Sequence, residues 1–362
     1  MNQEGNTSPQ DWEKAFAKEW KGQPESAYQQ KTNRGIPIRP FYTLEDVLRI
    51  PPADLLFQQQ AQVPATPYRH TVEMIGPGDE VEMNQAALRA LEDGASSLLF
   101  YFYGSEDFSK VLKSVQAEII PIHCVVEGDN PKDFLERWEL GWTANEKSLM
   151  DWNGSLNMRI SAADWAPLLS SLPPSVRCFC INGGEFSLPN RSDEEVLAWA
   201  AAEMELGLQC AASTGDFHRF WLHWSLQDDA LISIVSLRAL RVLWAKALQP
   251  YGITASEAPL WICAQTAFTG TSENDPYTPL ISSALQTFSA TAGGADERSI
   301  TPFSGDHPEA LRWARHQSLI ASYESGLDKE MDPLKGSFAI ECLTYAFTEW
   351  AWSHKTHFHG GY

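Results

Sequence analysis

Short, almost continuously apolar runs alternate with longer mixed stretches along the chain from about residue 68. Strands that are covered by helices on both faces are apolar at consecutive positions, so these runs predict buried parallel strands. The clearest runs lie at 97–102, 119–126, 155–160, 176–181, 218–222 and 260–265, and a less apolar one lies at 297–301. The stretches between them have helical character. The pattern therefore predicts an α/β fold with a parallel sheet.

Two of the intervening stretches carry helix signals. Ser192 is followed three residues later by Glu195, which forms the capping box that opens a helix, and we expect this helix to close at Gly207. In a second stretch, acidic residues come first and Arg238 and Arg241 follow, which is the order that the helix dipole favours. We expect both arginines to form ion pairs on the surface of that helix.

The alternation of strands and helices extends over roughly 280 residues, which suits a (β/α)8 barrel of ~250 residues. A doubly wound open sheet is the alternative, but G-x-G-x-x-G does not follow the first strand. We therefore expect a (β/α)8 TIM barrel over residues 68–362. Residues 1–67 are expected to form an N-terminal arm, partly helical and partly extended, and a linker.

The first 45 residues of the arm are too sparse in apolar positions to form a core. In its first part, Trp12, Phe16 and Trp20 at positions i, i+4 and i+8 make one narrow helical stripe. In its second part, Pro37 and Pro40 hold the backbone extended. We expect the arm to pack on a partner chain. The side chains predicted to form this interface are Trp12, Phe16, Trp20, Ile36, Ile38, Phe41 and Tyr42.

The strongly negative net charge argues against nucleic acid and anionic membranes as partners. The formal net charge is −20 and the isoelectric point is about 4.8, so the chain repels phosphate backbones and anionic lipid. Apolar runs of the ~20 residues that span a bilayer are absent, and the first residues do not resemble a signal peptide. We expect a cytoplasmic protein that binds neither nucleic acid nor membrane.

The six cysteines lie mostly in apolar runs, as reduced core thiols do. Cys178 and Cys180 occupy alternate positions of a predicted strand and are expected to point to one face. Because a second Cys or His pair does not follow at zinc-finger spacing, we expect no metal site. The sequence also lacks G-x-S-x-G, H-E-x-x-H and the P-loop, the motifs of common hydrolases and nucleotide-binding enzymes.

Several longer stretches are more specific, and they follow one another in order along the chain. They are GIPIRPFYTLED (35–46), MNQAALRALEDGASSLLF (83–100), SLRALRVLWA (236–245), CAQTAFTGTSENDPY (263–277), ATAGGADERSI (290–300) and SYESGLDKEMDPLKGSFAIECLT (322–344). Each resembles a segment of the methylmalonyl-CoA mutase family, and the second is similar to the family's small subunits. The resemblance implies a (β/α)8 barrel with an N-terminal arm, here without the family's cobalamin-binding domain.

The chain departs from the family's catalytic subunits, in which adenosylcobalamin supplies a radical. Their motif G-Y-H-x-x-E-A-G-A brings a Tyr–His pair to the substrate, whereas the corresponding stretch 179–192 has neither residue. The family's His before Gln-Thr is Cys263, and FYFYGSEDF (100–108) replaces F-D-L-x-T-H-R-G. The cobalamin signature D-x-H-x-x-G does not occur. The resemblance therefore implies that this chain binds no cofactor and that adenosylcobalamin belongs to a partner subunit.

We accordingly expect a non-catalytic, stabilising subunit that forms a heterodimer with a large catalytic mutase subunit. That partner would interconvert (R)-methylmalonyl-CoA and succinyl-CoA. Gln265, Thr266, Tyr101 and Tyr103 are the candidates for vestigial acyl-CoA contacts, although for Gln265 and Thr266 a satisfied polar pair in a filled barrel is the preferred interpretation. One alternative is a barrel-only catalytic subunit that works with a separate cobalamin-binding subunit. Another is a free acyl-CoA-binding protein, which the acidity disfavours because coenzyme A is an anion.

Overall fold

A computed structural model of the chain describes residues 9–22, 25–66, 69–128, 130–158, 168–183, 191–267, 277–304 and 307–358. Its strands are β1 (Gln30–Lys31), β2 (Pro37–Ile38), β3 (His70–Ile75), β4 (Ser97–Phe102), β5 (Ile122–Val126), β6 (Gly154–Met158), β7 (Val176–Arg177), β8 (Phe179–Asn182), β9 (Phe220–Ser225), β10 (Trp261–Gln265) and β11 (Glu297–Ser299). Its α-helices are α1 (Pro9–Glu19), α2 (Leu44–Val47), α3 (Pro52–Gln60), α4 (Glu80–Glu92), α5 (Phe108–Val111), α6 (Pro131–Ala144), α7 (Asp193–Ala211), α8 (Ala230–Leu248), α9 (Thr278–Ala292), α10 (Pro308–Leu319) and α11 (Phe338–His354).

Strands β3 to β11 form one parallel sheet in the order β7-β6-β5-β4-β3-β11-β10-β9-β8. The two end strands of this order, β7 and β8, are separated along the chain by Cys178 alone. The backbone N–H groups of Cys178 and Phe179 both donate to the carbonyl of Arg219, at 3.1 and 3.0 Å. Two residues opposite one make a β-bulge. Strands β7 and β8 are thus halves of one bulged strand, and the sheet closes as the expected (β/α)8 TIM barrel.

Each apolar run predicted from the sequence overlaps a strand of this barrel, including the run at 297–301. The remaining strand, β3, was missed because it is not continuously apolar. Glu73 of this strand forms an ion pair with Arg315 at 2.9 Å, and this pairing allows a charged residue within the strand.

Helix α7 confirms the predicted capping box and corrects the predicted end. The Ser192 hydroxyl accepts from the Glu195 N–H, and the Glu195 carboxylate accepts from the Ser192 N–H. The helix continues past Gly207 to Ala211. Gly207 is needed for packing instead, since a Cβ there would lie 2.7 Å from the ring of Phe220.

The prediction that Arg238 and Arg241 lie on the surface was wrong. Helix α8 is buried on nearly every side because α7, α9 and the C-terminal helix α11 pack around it. Arg238 forms buried ion pairs with Asp332 and Glu341. Arg241 pairs with Asp296 at 3.0 Å. These ion pairs tie α8 to the C-terminal segment and to the amino-terminal end of β11.

The bulge also corrects the expectation for the cysteines of β7 and β8. Cys178 lies in the main core between the barrel and its helices, whereas Cys180 packs against the cluster inside the barrel. They point to opposite faces because the bulge inserts one residue between them. All six thiols are free.

The arm divides into two parts. In its first part, side chains from residue 10 to residue 20 are all partly or fully exposed, and Trp12 stacks on Phe41 with ring centroids 4.0 Å apart. In its second part, Ile36 is buried in the barrel's own core. Arg34 forms an ion pair with Glu195 of α7. The predicted domain boundary at residues 67 and 68 lies outside the described residues.

Candidate functional site at the carboxyl end of the barrel

The carboxyl ends of the barrel strands form an open mouth. The strand registers place Gln265 level with Ser225, and Tyr101 and Asn157 level with Val125. All of these side chains are half-buried, and none carries a charge. Asn182 lies in register with His223, two residues before Ser225, and is half-buried as well. We call this set of half-buried side chains around the carboxyl ends of the strands the mouth ring: Tyr101, Val125, Asn157, Asn182, Ser225 and Gln265.

The interior below the mouth ring is filled with large side chains. Val72, Leu99, Trp221, Trp261 and Cys263 form one fully buried cluster. Burial raises the pKa of the Cys263 thiol well above its usual value, so this cysteine stays protonated and is not a nucleophile at neutral pH.

His223 lies in register with Cys263, two residues before Ser225 of the ring. Its ring stacks on Trp221 at 5.8 Å, with the planes 7° apart. Its Nδ1 lies 3.0 Å from the side-chain oxygen of Asn182. This histidine is therefore buried and held against the floor of the mouth.

Deeper in the barrel, a buried carboxylate is surrounded by hydrogen-bond donors. The Nε2 of His123 lies 2.7 Å from Glu297, and the Ser97 hydroxyl donates to the same carboxylate at 3.0 Å. The Trp221 indole N–H donates to its other oxygen at 3.3 Å. Burial alone would raise the pKa of Glu297, but the charge and the hydrogen bond of His123 outweigh it and lower that pKa to about 2.

At the amino-terminal end of the barrel interior, a cationic side chain packs on an aromatic ring. The Arg177 guanidinium lies 4.0 Å from the centre of the Trp261 ring. Burial lowers the pKa of Arg177 to about 10, so it remains charged at neutral pH. His70 stacks on the same tryptophan at 5.9 Å, and burial lowers the pKa of this histidine.

Two of the four side chains proposed to contact substrate, Tyr101 and Gln265, lie at the carboxyl ends of their strands and belong to the mouth ring. Thr266 is buried, and its hydroxyl accepts from the Thr301 N–H at 2.8 Å, so it joins the ends of β10 and β11. Tyr103 is exposed, and its backbone N–H donates to Glu106.

Sequence reasoning missed most of this arrangement. Asn157, Asn182, Ser225 and His223 are polar residues in largely apolar strands, and the available signal was their position at or near a strand's carboxyl end. Of the stretch 179–192, residues 184–190 lie outside the described residues. Within the described part of the chain, there is no group of three or more His, Cys, Asp or Glu side chains that could hold a metal ion. That part likewise contains no helix long and apolar enough to cross a membrane.

Comparisons with family models and with the sequences of known proteins find the same family. The family model described as methylmalonyl-CoA mutase matches residues 196–361. The chain is 28% identical over 201 residues to the methylmalonyl-CoA mutase small subunit of Propionibacterium freudenreichii subsp. shermanii, which covers 52% of this chain and 31% of that protein. It is 25% identical over 358 residues to the methylmalonyl-CoA mutase small subunit of Porphyromonas gingivalis, which covers 89% of this chain and 58% of that protein. The chain thus spans well under two thirds of either relative.

Among solved structures, a dihydropteroate synthase from Coxiella burnetii matches with a TM-score of 0.41 at 12% identity. That match covers 73% of this chain and 94% of that one.

Proposed function

Because the chain belongs to the methylmalonyl-CoA mutase family, we propose that it is a non-catalytic, stabilising subunit of a heterodimeric methylmalonyl-CoA mutase. Its partner is the large catalytic subunit, which carries adenosylcobalamin and interconverts (R)-methylmalonyl-CoA and succinyl-CoA. The relatives whose names include "small subunit" support this assignment, since that name implies a larger subunit beside it.

The observation that carries the proposal is the filled barrel. A radical isomerase has to hold its substrate and its radical away from water, and barrel members of the family do so inside the barrel. Here Trp221, Trp261 and the Glu297–His123 pair occupy the space below the mouth ring. A substrate chain could enter that space only if these buried, hydrogen-bonded groups were displaced.

The described residues of the mouth do not fit a cobalamin. Its ring offers amides and hydroxyls, which are poor cobalt ligands. His223 of β9 is buried below the ring and stacked on Trp221, so its imidazole does not reach a corrin lying above the barrel.

Tyr101 and Gln265 are the side chains that we retain as remnants of an acyl-CoA contact. They share the mouth ring, and they would offer hydrogen bonds to a thioester or an amide. The mouth ring supplies no cation for the phosphates of coenzyme A. Any residual acyl-CoA binding by this chain is therefore weak, and Thr266 and Tyr103 do not contribute to it.

The partner interface that we propose includes the exposed part of the arm. Trp12 and Phe16 of α1 and Trp20 just after it are partly or fully exposed, and they are available to a second chain together with Phe41. The other predicted interface residues, Ile36, Ile38 and Tyr42, lie in or against the barrel's own core. These three hold the base of the arm while its aromatic half extends to the partner.

Co-purification and an activity assay test the proposal together. The tagged chain is co-expressed with the large mutase subunit of the same organism, and the complex and each chain alone are assayed for conversion of (R)-methylmalonyl-CoA to succinyl-CoA. We expect a stoichiometric complex, a higher melting temperature for the large subunit, and no turnover by this chain alone. Turnover by this chain when a separate cobalamin-binding subunit is supplied would instead establish the barrel-only catalytic alternative.

A further inference from the structure

One face of helix α9 is exposed and entirely uncharged. Its sequence, TPLISSALQTFSATA, contains no Asp, Glu, Lys or Arg, although one residue in five of the whole chain is charged. Ile281 is 73% exposed, Leu285 45% and Phe288 39%. Isolated exposed apolar residues are ordinary, but a continuous stripe of them marks an interaction site.

The stripe has the spacing of a helix-packing seam. Tyr277, Ile281, Ala284 and Phe288 are all exposed and follow one another at intervals of four, three and four residues. This is the a/d spacing by which one helix presents knobs to another. The buried face of the same helix is polar and satisfied: Gln286 donates to Asp228 at 2.9 Å and accepts from the Ala267 N–H at 2.8 Å. The large apolar residues Ile281, Leu285 and Phe288 thus face outward while polar residues such as Gln286 and Thr287 face inward, the reverse of an ordinary barrel helix.

The neighbouring element enlarges this face. The π-helical turn Ile320–Glu324, which continues α10, lies beside α9 and exposes Ile320 and Tyr323. Gln317, one turn earlier, donates to the Leu280 carbonyl of α9 and holds the two elements together. We call this surface, formed by Tyr277, Ile281, Ala284, Leu285, Phe288, Ile320 and Tyr323, the α9 face.

We propose that the α9 face docks the large subunit of the mutase, through an uncharged helical surface on that partner. The inference rests on the proposed function. A charged side chain placed against this face would lose its hydration without gaining a partner, so the matching surface has to be apolar. Stable interfaces bury about 800 Å² on each side, so the α9 face is the centre of a larger contact.

Charge favours the large subunit over a second copy of this chain. Each copy carries a net charge of −20, and two such chains repel one another as they approach. The relatives that carry the name "small subunit" indicate a different chain as the partner.

The test uses one substitution and a matched control. Ile281→Asp places a charge in the centre of the α9 face. Ile119→Asp makes the same change at an isoleucine that is similarly exposed, at 70%, but lies between α5 and β5, away from α9. Binding to the purified large subunit is measured by titration calorimetry, the oligomeric state by light scattering, and folding by thermal unfolding. Leu285→Asp serves as a second variant should Ile281→Asp fold poorly.

We expect Ile281→Asp to weaken binding of the large subunit at least tenfold, which is about 1.4 kcal/mol, while Ile119→Asp binds as the wild type does. Wild-type affinity in both Ile281→Asp and Leu285→Asp overturns the docking inference and leaves the proposed function standing. A wild-type chain that does not bind the large subunit overturns both. If that chain instead forms a homodimer that Ile281→Asp dissociates, the occupant is a second copy and the inference is wrong.

Discussion

The polar residues inside the barrel are arranged to be satisfied rather than reactive. Glu297 accepts hydrogen bonds from three side chains, and the other ring nitrogen of His123 lies 2.8 Å from the Ser155 hydroxyl. A carboxylate can only accept, so the His123 Nε2 carries the proton in this pair. A catalytic acid or base would be expected to face a cavity, but this pair is enclosed by the tryptophans of the filled interior.

Replacing Glu297 by glutamine tests this structural role. A glutamine has one acceptor oxygen in place of two, and its NH₂ group would face a donor, so we expect Glu297→Gln to lower the free energy of unfolding by roughly 3–5 kcal/mol at pH 7. Urea unfolding measures it, with the exposed Glu139→Gln as the matched control.

The stability difference between wild type and Glu297→Gln should also depend on pH. The folded-state pKa of Glu297 is lowered from 4.5 to about 2. Its contribution is therefore fully present above about pH 4.5 and is lost as the pH falls towards 2. The difference between wild type and Glu297→Gln should shrink over that window. A difference that stays constant down to pH 2 would mean that the carboxylate charge contributes nothing.

Arg241 gives a second prediction for a single residue. Its guanidinium donates to the carbonyls of Val63, Leu260 and Gly294 and to the carboxylate of Asp296. The single nitrogen of a lysine cannot span these acceptors, so we expect Arg241→Lys to cost about 2–3 kcal/mol of unfolding free energy. Chemical unfolding of this variant and of the exposed Arg312→Lys gives the comparison. Equal stabilities would show that charge alone matters at this position.

At the scale of the elements, we expect the first part of the arm to matter for binding the large subunit and not for the stability of the isolated chain. The described side chains of α1 are not buried, and its aromatic rings contact one another and the nearby Tyr28 and Phe41. Deleting residues 1–27 should therefore change the unfolding free energy of the isolated chain by less than about 1 kcal/mol. Because the deletion removes the exposed aromatic residues, it should also weaken binding of the large subunit at least tenfold.

Ile36→Ala is the comparison for this deletion, since Ile36 is buried in the barrel core. It should lower stability by about 2–5 kcal/mol. It should also leave the exposed aromatic residues in place. An arm deletion that unfolds the isolated chain, or one that binds the partner normally, contradicts the division of the arm into two parts.

The strands show how far the sequence predicts this fold. Runs such as β4 and β9 were recognised because helices cover one side of each strand and a filled interior covers the other, which leaves nearly every position apolar. Strand β11 gave little signal, although Glu297, Arg298 and Ser299 are all fully buried. Its charges are paired across the barrel and with neighbouring helices, and such pairing depends on residues far apart in the chain.

The functional surfaces were harder to predict for the same reason. The mouth ring draws one polar residue from each of several strands, so no local motif marks it. The α9 face has an ordinary helical periodicity, and the sequence alone does not reveal which side of that helix meets the barrel. Tyr101 and Gln265 were identified through the family resemblance, whereas Asn182 and His223 required the strand registers.

At the scale of the whole molecule, the described strands form a barrel whose interior is occupied by paired and aromatic side chains. The mouth ring carries no charge, and helix α9 contains no charged residue although the chain as a whole is strongly acidic. A barrel filled in this way can act on a partner through its outer surface. Under the proposed function, its contribution to the mutase should therefore be measurable as stability of the complex.

The last prediction concerns adenosylcobalamin and the isolated chain. A protein that binds cobalt directly offers it a nitrogen ligand, and the His223 imidazole is instead buried beneath the ring and stacked on Trp221. The uncharged ring also offers no cation to the phosphate of the cofactor's nucleotide tail. We expect the chain alone to leave the visible spectrum of the cofactor unchanged and to show no retention in equilibrium dialysis at concentrations up to about 100 μM. The heterodimer should bind the cofactor through its large subunit, which serves as the positive control. Saturable binding by the isolated chain with a micromolar Kd, about −8 kcal/mol, would mean that it holds the cofactor itself and would return it to the catalytic members of the family.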